Sequence, residues 1–164
     1  MQTIKRAKTD KDARVIARLA AEIWRTHYTP IVGAAQVEYM LGNVQSYETI
    51  RGDIASGALH YFLFMDGKTP AGYFAVKPEP ESVYLSKLYV HSNFRKKGFA
   101  RSAFAHILQN YTAGKKYIHL MVHIRNPESI AFYEKLGFRI TETQVNDIGQ
   151  GFINEDHIMR LDLK

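Results

Sequence analysis

The hydrophobic pattern changes its period once near the middle of the chain, and this change constrains the fold more than any other feature. An apolar run rich in β-forming residues predicts a strand, and its members are Leu85, Leu88, Tyr89 and Val90. After a basic loop, apolar residues recur every three or four positions: Ala100, Ala103, Phe104, Ile107, Leu108 and Tyr111. The sequence therefore predicts a strand, a loop around Gly98 and a helix that ends before Gly114.

This junction has the chemistry of an anion site. A helix start offers free backbone N–H groups and the positive end of the helix dipole. Gly98 lets the backbone approach a ligand closely. Four cations surround the glycine: Arg95, Lys96, Lys97 and Arg101. We therefore expect a phosphate group to bind here.

The positive charge of the chain is concentrated around this junction. The net charge is +6, and no acidic residue lies between Glu81 and Glu128. That interval holds eight cations, so the rest of the chain sums to −2. A basic segment on a slightly acidic body favours a polyanionic ligand over a merely solvated face. A nucleic-acid-binding module is a rival interpretation, but the chain has no recognised nucleic-acid motif.

Length and composition limit the classes of protein to which the chain can belong. A chain of 164 residues is long enough for one domain with a substantial core. It has no apolar run that could span a membrane and no signal-peptide core, so we expect a cytoplasmic protein. The absence of cysteine excludes disulfides, thiolate metal sites and a cysteine nucleophile.

The other segments predict one mixed α/β domain over residues 1–164. Helices are expected after Thr9 or Asp10, after Gly33, after Ser46, and from Pro127 to Gly137, with a break at Tyr28-Thr29-Pro30. Strands are expected at residues 3–7, 58–65, 69–76, 83–90, 117–124, 138–144 and 152–161, with a turn at 146–151.

Several common motifs are absent. Gly67-Lys68-Thr69 lacks the first glycine of a phosphate-binding P-loop, and no Gly-x-Gly-x-x-Gly dinucleotide pattern occurs. His119 and His123 would lie roughly 13 Å apart on one strand, which is too far for one metal ion. We therefore expect no metal site.

A second block, residues 126–138, predicts a helix capped by Asn126. Tyr133 follows Asn126 by seven residues, two helical turns, so both side chains can face one ligand. A phenol can protonate a leaving group, although core packing of Tyr133 is the ordinary alternative.

Together the two blocks resemble the GNAT superfamily of N-acetyltransferases. Its phosphate loop, Arg/Gln-x-x-Gly-x-Gly/Ala, is matched by Arg95 to Ala100, and its second signature is matched by Asn126 to Phe138. The resemblance implies a transferase, more narrowly an acyltransferase of the acetyltransferase type. It also implies a single-domain α/β GNAT fold. This is a mixed, mostly antiparallel sheet of about seven strands, splayed at the centre and flanked by helices.

The resemblance also implies roles for particular residues. The backbone of Leu88, Tyr89 and Val90 would pair with the pantetheine arm of acetyl-CoA. The coenzyme A pyrophosphate would lie against the loop, at Arg95, Lys96, Lys97, Gly98, Phe99, Ala100 and Arg101. Asn126 would contact the pantetheine side, and Tyr133 would be the general acid for the CoA thiolate.

One departure concerns the general base. Family members often have a glutamate near the start of the central strand, where this chain has Tyr84. The base is therefore open, with His123, Asp156 and Glu22 as candidates in falling order. The same departure leaves a second hypothesis, a non-catalytic acyl-CoA sensor that keeps the fold.

The acceptor is expected to be the primary amine of a small molecule, polyamine or amino-acid-like, or of a peptide. Without cysteine, transfer would be direct. The expected acceptor side comprises Trp24, His27, Tyr28 and Tyr39, whose aromatic rings could seat an amine cation, with core packing as the alternative for Trp24. No nucleic acid or membrane is expected as a partner, and the resemblance leaves a homodimer open.

Overall fold

The computed structural model describes residues 1–164, which form one seven-stranded sheet with helices on both faces. The strands are β1 (Gln2–Arg6), β2 (His60–Asp66), β3 (Thr69–Pro78), β4 (Ser82–Val90), β5 (Tyr117–His123), β6 (Arg139–Gly149) and β7 (Phe152–Asp162). The helices are α1 (Asp10–His27), α2 (Thr29–Val32), α3 (Ala34–Asn43), α4 (Tyr47–Ser56), α5 (Phe99–Tyr111) and α6 (Pro127–Lys135). This architecture confirms the predicted α/β class.

The sheet is splayed at its centre. Its order is β1-β2-β3-β4-β5-β7-β6, and every neighbouring pair is antiparallel except β4 and β5. The parallel pairing of β4 and β5 ends at Leu85 and Leu120. At that point the register of β4 against β3 shifts past Ser86, so Leu85 faces Val76 and the next pair is Lys87 with Ala75. Beyond this bulge β4 has no partner on its β5 side.

Two hydrophobic clusters pack the helices onto the two faces of the sheet. One cluster joins α5 and α6 to the sheet and includes Phe74, Ile107 and Met159. The other joins α1, α3 and α4 to β2 and β3, and it contains Trp24 and Ile16. None of the helices combines the length and apolar composition that crossing a bilayer requires.

Capping fixes where α1 begins. Of the two candidates, Thr9 is the N-cap, because its side chain accepts a hydrogen bond from the Asp12 amide. Asp12 returns a bond to the Thr9 amide and completes a capping box. The helix continues to His27, so its C-terminal end reaches the open side of β4.

One local prediction was wrong in its extent. The turn expected at 146–151 is confined to Gln150 and Gly151, whose φ values of 51° and 81° form a tight hairpin turn. Polar Asn146 instead pairs with Asn154 inside the β6–β7 ladder. The break expected at Tyr28-Thr29-Pro30 is present, since α1 ends at His27 with Tyr28 as its C-cap. Thr29 and Pro30 begin the short helix α2, whose first turn accepts Pro30 because its missing N–H would have no helical partner there.

Candidate active site

A cavity of about 510 Å³ opens where β4 and β5 separate. Its walls come from β4, β5, the loop before α5, α6 and the C-terminal end of α1. The volume lies within the range of small-molecule sites, roughly 300–1,000 Å³. The splay therefore creates the space that a ligand would occupy.

The β4 wall offers unpaired backbone. Leu88, Tyr89 and Val90, the residues expected to pair with pantetheine, line the cavity, and all three lie beyond the last β4–β5 pair. The Val90 carbonyl accepts a hydrogen bond from Arg95 Nε at 3.2 Å. Backbone polar groups that have no strand partner must bond to water or a ligand. An extended molecule with amide groups can pair with this half of β4.

The loop before α5 is shaped to hold an anion. Lys96 and Gly98 both have left-handed backbone conformations, with φ of 61° and 89°. Gly98 is the N-cap of α5 and provides no capping side chain. The first intrahelical bond is donated by the Ser102 amide to the Gly98 carbonyl. The amides at the start of α5 therefore stay free for an anion.

Most of the predicted loop residues reach the cavity. Arg95, Lys96, Gly98, Phe99, Ala100 and Arg101 line it. Lys97 does not. Its ammonium lies 5.1 Å from the centre of the Phe94 ring, and its carbonyl accepts a hydrogen bond from Gln2 Nε2 at 2.9 Å. The strained φ of Lys96 fits a functional loop, since such strain concentrates at ligand sites.

The α6 wall brings Asn126 and Tyr133 into the same cavity. Asn126 is buried, and its Oδ1 caps α6 by accepting a bond from the Ser129 amide at 3.4 Å. The Tyr133 ring packs edge-on against Phe132 and Phe138, with centroid separations of 5.4 Å and 5.6 Å. Burial, and then the neighbouring Tyr28, raises the pKa of the Tyr133 phenol. The phenol therefore keeps its proton at neutral pH.

The four aromatic residues predicted for the acceptor side separate into two groups. His27 and Tyr28 line the cavity. The Tyr28 hydroxyl lies 3.0 Å from the hydroxyl of Tyr89. Trp24 is buried in the core, with 2% of its surface exposed, so contact with an acceptor is excluded and the packing alternative holds. Tyr39 donates a hydrogen bond to the Ile148 carbonyl at 2.6 Å and holds the β6–β7 hairpin instead.

No candidate base from the sequence lines the cavity. His123 is buried, and its Nδ1 accepts a hydrogen bond from the Arg125 amide at 3.1 Å. In the neutral ring this bond leaves the proton on Nε2, so His123 has no free lone pair to act as a base. Glu22 lies beside His91, with 3.4 Å between its Oε2 and the His91 Nε2. Asp156 faces His123 across the β5–β7 ladder.

Tyr84, at the expected glutamate position, lies before the β4 bulge and packs 5.0 Å from the His119 ring. Ser86, at the bulge, lines the cavity in its place. The chain brings together no group of three or more His, Asp or Glu side chains that could hold a metal ion.

Sequence reasoning missed part of the lining. Ser129 and Phe132 line the cavity from α6. Ser129 follows Asn126 by three residues and Phe132 follows Ser129 by three, and this helical spacing is a signal that could have found them. Ile23 also lines it, while most of its side chain is buried in the core cluster that contains Trp24. Ser86 had no signal, because the bulge that exposes it depends on pairing between β3 and β4.

Comparison with known proteins agrees with this geometry. A sequence profile described as an acetyltransferase (GNAT) domain matches residues 28–155. No curated protein sequence matches the chain.

Many solved structures share the fold. One is the PaiA N-acetyltransferase of Thermoplasma acidophilum in complex with coenzyme A. It is 20% identical over 98% of this chain and 99% of its own, with a TM-score of 0.82. The ribosomal-protein-S18-alanine N-acetyltransferase of Escherichia coli is 20% identical over 99% and 94%, with a TM-score of 0.72. A chimera of the spermidine N-acetyltransferase SpeG from Vibrio cholerae with hSSAT is 20% identical over 98% and 95%, with a TM-score of 0.72.

These identities establish the shared fold, and the profile match establishes the family. The profile match and the structure bound to coenzyme A confirm the predicted family resemblance, the predicted enzyme class and acetyl-CoA as the predicted cosubstrate. The chain belongs to the GNAT family of acetyl-CoA-dependent N-acetyltransferases.

Proposed function

We propose that the chain transfers an acetyl group directly from acetyl-CoA to a primary amine of a small molecule, polyamine or amino-acid-like, or of a peptide. We further propose that residues 1–164 form a single N-acetyltransferase domain. One observation supports the reaction above all others: a single cavity holds an unpaired strand edge, an anion-binding helix start and a protonated phenol.

The cavity fits acetyl-CoA in three places. Leu88, Tyr89 and Val90 would pair through their backbone with the pantetheine amides. The free amides at the start of α5 would hold the pyrophosphate, and Arg95, Lys96 and Arg101 would balance its charge. Acetyl-CoA supplies an acetyl group already activated as a thioester.

The reaction then needs a proton donor for the CoA sulfur and an acceptor for the proton that the amine loses. Tyr133 donates its phenol proton to sulfur as the carbon–sulfur bond breaks and the carbon–nitrogen bond forms. Its raised pKa keeps that proton available until the thiolate develops. None of the three candidate bases lines the cavity, whereas His27 and Glu128 do. The amine loses its own proton to water, which can pass it on to either side chain. With no cysteine in the chain, no acetyl-cysteine intermediate can form.

Replacing Tyr133 by phenylalanine tests this assignment. We expect Tyr133→Phe to lower kcat by roughly 10²–10⁴-fold, the usual contribution of a positioned general acid. Its dissociation constant for acetyl-CoA should stay within about twofold of the wild-type value, because the ring and its packing remain. The measurement is CoA thiol release with a panel of primary amines, with the product identified by mass spectrometry.

Tyr117→Phe is the matched control, because Tyr117 lies outside the cavity and its ring packs against Arg160. Wild-type turnover in Tyr133→Phe would remove the general-acid assignment. Tight acetyl-CoA binding without CoA release for any amine would instead support the sensor hypothesis raised by Tyr84.

A further inference from the structure

The β4 bulge brings two consecutive side chains together beside the cavity. Neighbouring residues of a regular strand point to opposite faces, but Ser86 has no partner on β3, because the register shifts past it. Lys87 Nζ donates a hydrogen bond to Ser86 Oγ at 3.2 Å. Ser86 lines the cavity and Lys87 does not. Lys87 therefore reaches the cavity through the serine hydroxyl.

The Ser86 hydroxyl has a proton that no group of the chain accepts. A serine hydroxyl donates one proton and accepts through two lone pairs. The bond from Lys87 is the one side-chain hydrogen bond that Ser86 makes within the chain, and it occupies a lone pair. An ammonium donates protons and accepts none. The Ser86 proton is therefore free for a group inside the cavity.

Lys87 places a positive charge beside this hydroxyl without an ion-pair partner. Its side chain is half-buried, and the ion pairs of the chain do not include it. Burial lowers the pKa of Lys87, and the negative charge of Asp53 opposes this. A cation removed from water is ordinarily compensated by an anion in contact with it. Here a hydroxyl takes that place, and the bond from the cation makes the hydroxyl a stronger donor.

The order of groups along β4 indicates which part of acetyl-CoA meets this hydroxyl. The start of α5, which is proposed to hold the pyrophosphate, follows Val90, so the pantetheine arm would run from Val90 back past Leu88. Ser86 is the next β4 residue on this path that lines the cavity. It would therefore lie at the thioester end of the arm. The carbonyl oxygen is the strong hydrogen-bond acceptor of a thioester, because its sulfur accepts only weakly.

The thioester carbonyl oxygen gains negative charge during acetyl transfer. As the carbon–nitrogen bond forms, one electron pair of the carbonyl double bond moves onto the oxygen. A donor held against this oxygen stabilises the transition state more than the substrate, and a nearby cation adds to the effect. The serine proton stays on its own oxygen. The electron pair returns to the carbonyl as the carbon–sulfur bond breaks and the sulfur takes its proton from Tyr133.

We propose that the Ser86 hydroxyl, held and polarised by Lys87, donates a hydrogen bond to the thioester carbonyl oxygen of acetyl-CoA and stabilises the oxyanion formed during transfer. Ser86 is then a catalytic residue, and Lys87 is a positioning residue that acts through it. This inference rests on the proposed acetyl transfer and assigns the group that stabilises its developing negative charge.

Two pairs of variants test the serine and the lysine in turn. Ser86→Ala should lower kcat by roughly 10²–10³-fold, the usual cost of one lost oxyanion donor, whereas Ser86→Thr keeps a hydroxyl and should keep most of the rate. Lys87→Met removes the charge and should lower kcat by about tenfold, whereas Lys87→Arg keeps the charge and should restore the rate. The dissociation constant for acetyl-CoA should stay within about twofold of the wild-type value in all four variants. Ser56→Ala and Lys77→Met are the controls, because both side chains are exposed outside the cavity.

A spectroscopic measurement tests the contact without turnover. The infrared stretching frequency of bound acetyl-CoA, labelled isotopically at the acetyl carbonyl, reports the hydrogen bond to that oxygen. We expect the frequency in the wild-type complex to lie below the frequency in the Ser86→Ala complex. Such a difference, without acetylation of any amine, would contradict the proposed function and still support the contact.

Three results would overturn the inference. Equal carbonyl frequencies in the wild-type and Ser86→Ala complexes would show that the hydroxyl does not bond to the oxygen. Wild-type turnover in Ser86→Ala would show that the reaction does not use it. Turnover in Lys87→Arg as slow as in Lys87→Met would show that Lys87 accepts a proton instead of contributing a charge.

Discussion

Asp12 at the start of α1 makes the stability of the fold depend on pH. Its Oδ2 accepts hydrogen bonds from the amides of Lys8 at 2.9 Å and Thr9 at 3.1 Å. Its Oδ1 forms an ion pair with Lys5 Nζ at 2.7 Å, and only 5% of the side chain is exposed. Burial alone would raise the pKa of Asp12, but these partners outweigh it and lower the pKa from 3.8 to about 2.

The lowered pKa can be converted into a free energy of unfolding. One pKa unit corresponds to about 1.4 kcal/mol, so the shift is worth about 2 kcal/mol at neutral pH. Because the folded-state pKa is depressed, this stability is present above the unfolded-state pKa and is lost as the pH falls through the folded-state value. Asp12→Asn removes the charge at every pH. We expect it to destabilise the fold by about 2 kcal/mol at neutral pH and by about half of that near pH 3.

The measurement is urea unfolding, followed through Trp24 fluorescence and far-ultraviolet circular dichroism, at several pH values. Asp10→Asn is the control, because Asp10 lies in the same helical turn but is 62% exposed and pairs with Arg51 at the surface. Such a surface pair contributes about 1 kcal/mol or less. The reasoning is refuted if the two variants lose equal stability, or if the Asp12→Asn effect is undiminished at acid pH.

Substitutions at two glycines test two different causes of destabilisation, backbone strain at Gly98 and steric overlap at Gly72. Gly98 has open space around it but a φ of 89°, so Gly98→Ala should cost about 1–2 kcal/mol of unfolding free energy in denaturant titrations. It should also weaken acetyl-CoA binding in calorimetric titrations, because the loop must distort. At Gly72 a methyl group would overlap the Tyr89 carbonyl and the Val90 Cα. Gly72→Ala should therefore cost about 1–3 kcal/mol by the same titration and lower acetyl-CoA affinity as β4 shifts.

The parts of the site that sequence reasoning found are those with local signals. The strand-to-helix change of period located the loop around Gly98, and Gly98 is the N-cap of α5. The spacing of Asn126 and Tyr133 predicted a shared face, and both line the cavity. Each prediction required only neighbours within two helical turns, where geometry follows directly from sequence separation.

The parts that were missed depend on contacts between distant segments. Tyr39 and Ile148 are 109 residues apart, and nothing in the sequence of α3 indicates that Tyr39 holds a hairpin. The sequence left core packing open as an alternative for Trp24, and only the packed cluster shows that this side chain is closed to ligands. The tight turn at Gln150 was obscured by polar residues before it, which are paired in the β6–β7 ladder. The β-propensity of a residue is a weak guide to its secondary structure where pairing with a distant strand decides whether it joins a sheet.

The separation of β4 from β5 also bears on misassembly. A strand with one unpaired side normally lies at the rim of a sheet, where it can recruit strands from other molecules and start aggregation. Here the unpaired half of β4 lies in the middle of the sheet, and its free side opens into a cavity walled by α6 and the start of α5. The walls of this cavity cover the side of β4 that a strand from another molecule would have to reach. The fold thus keeps the free backbone N–H and C=O groups of β4 accessible to an extended ligand in the cavity, while α5 and α6 shield them from other proteins.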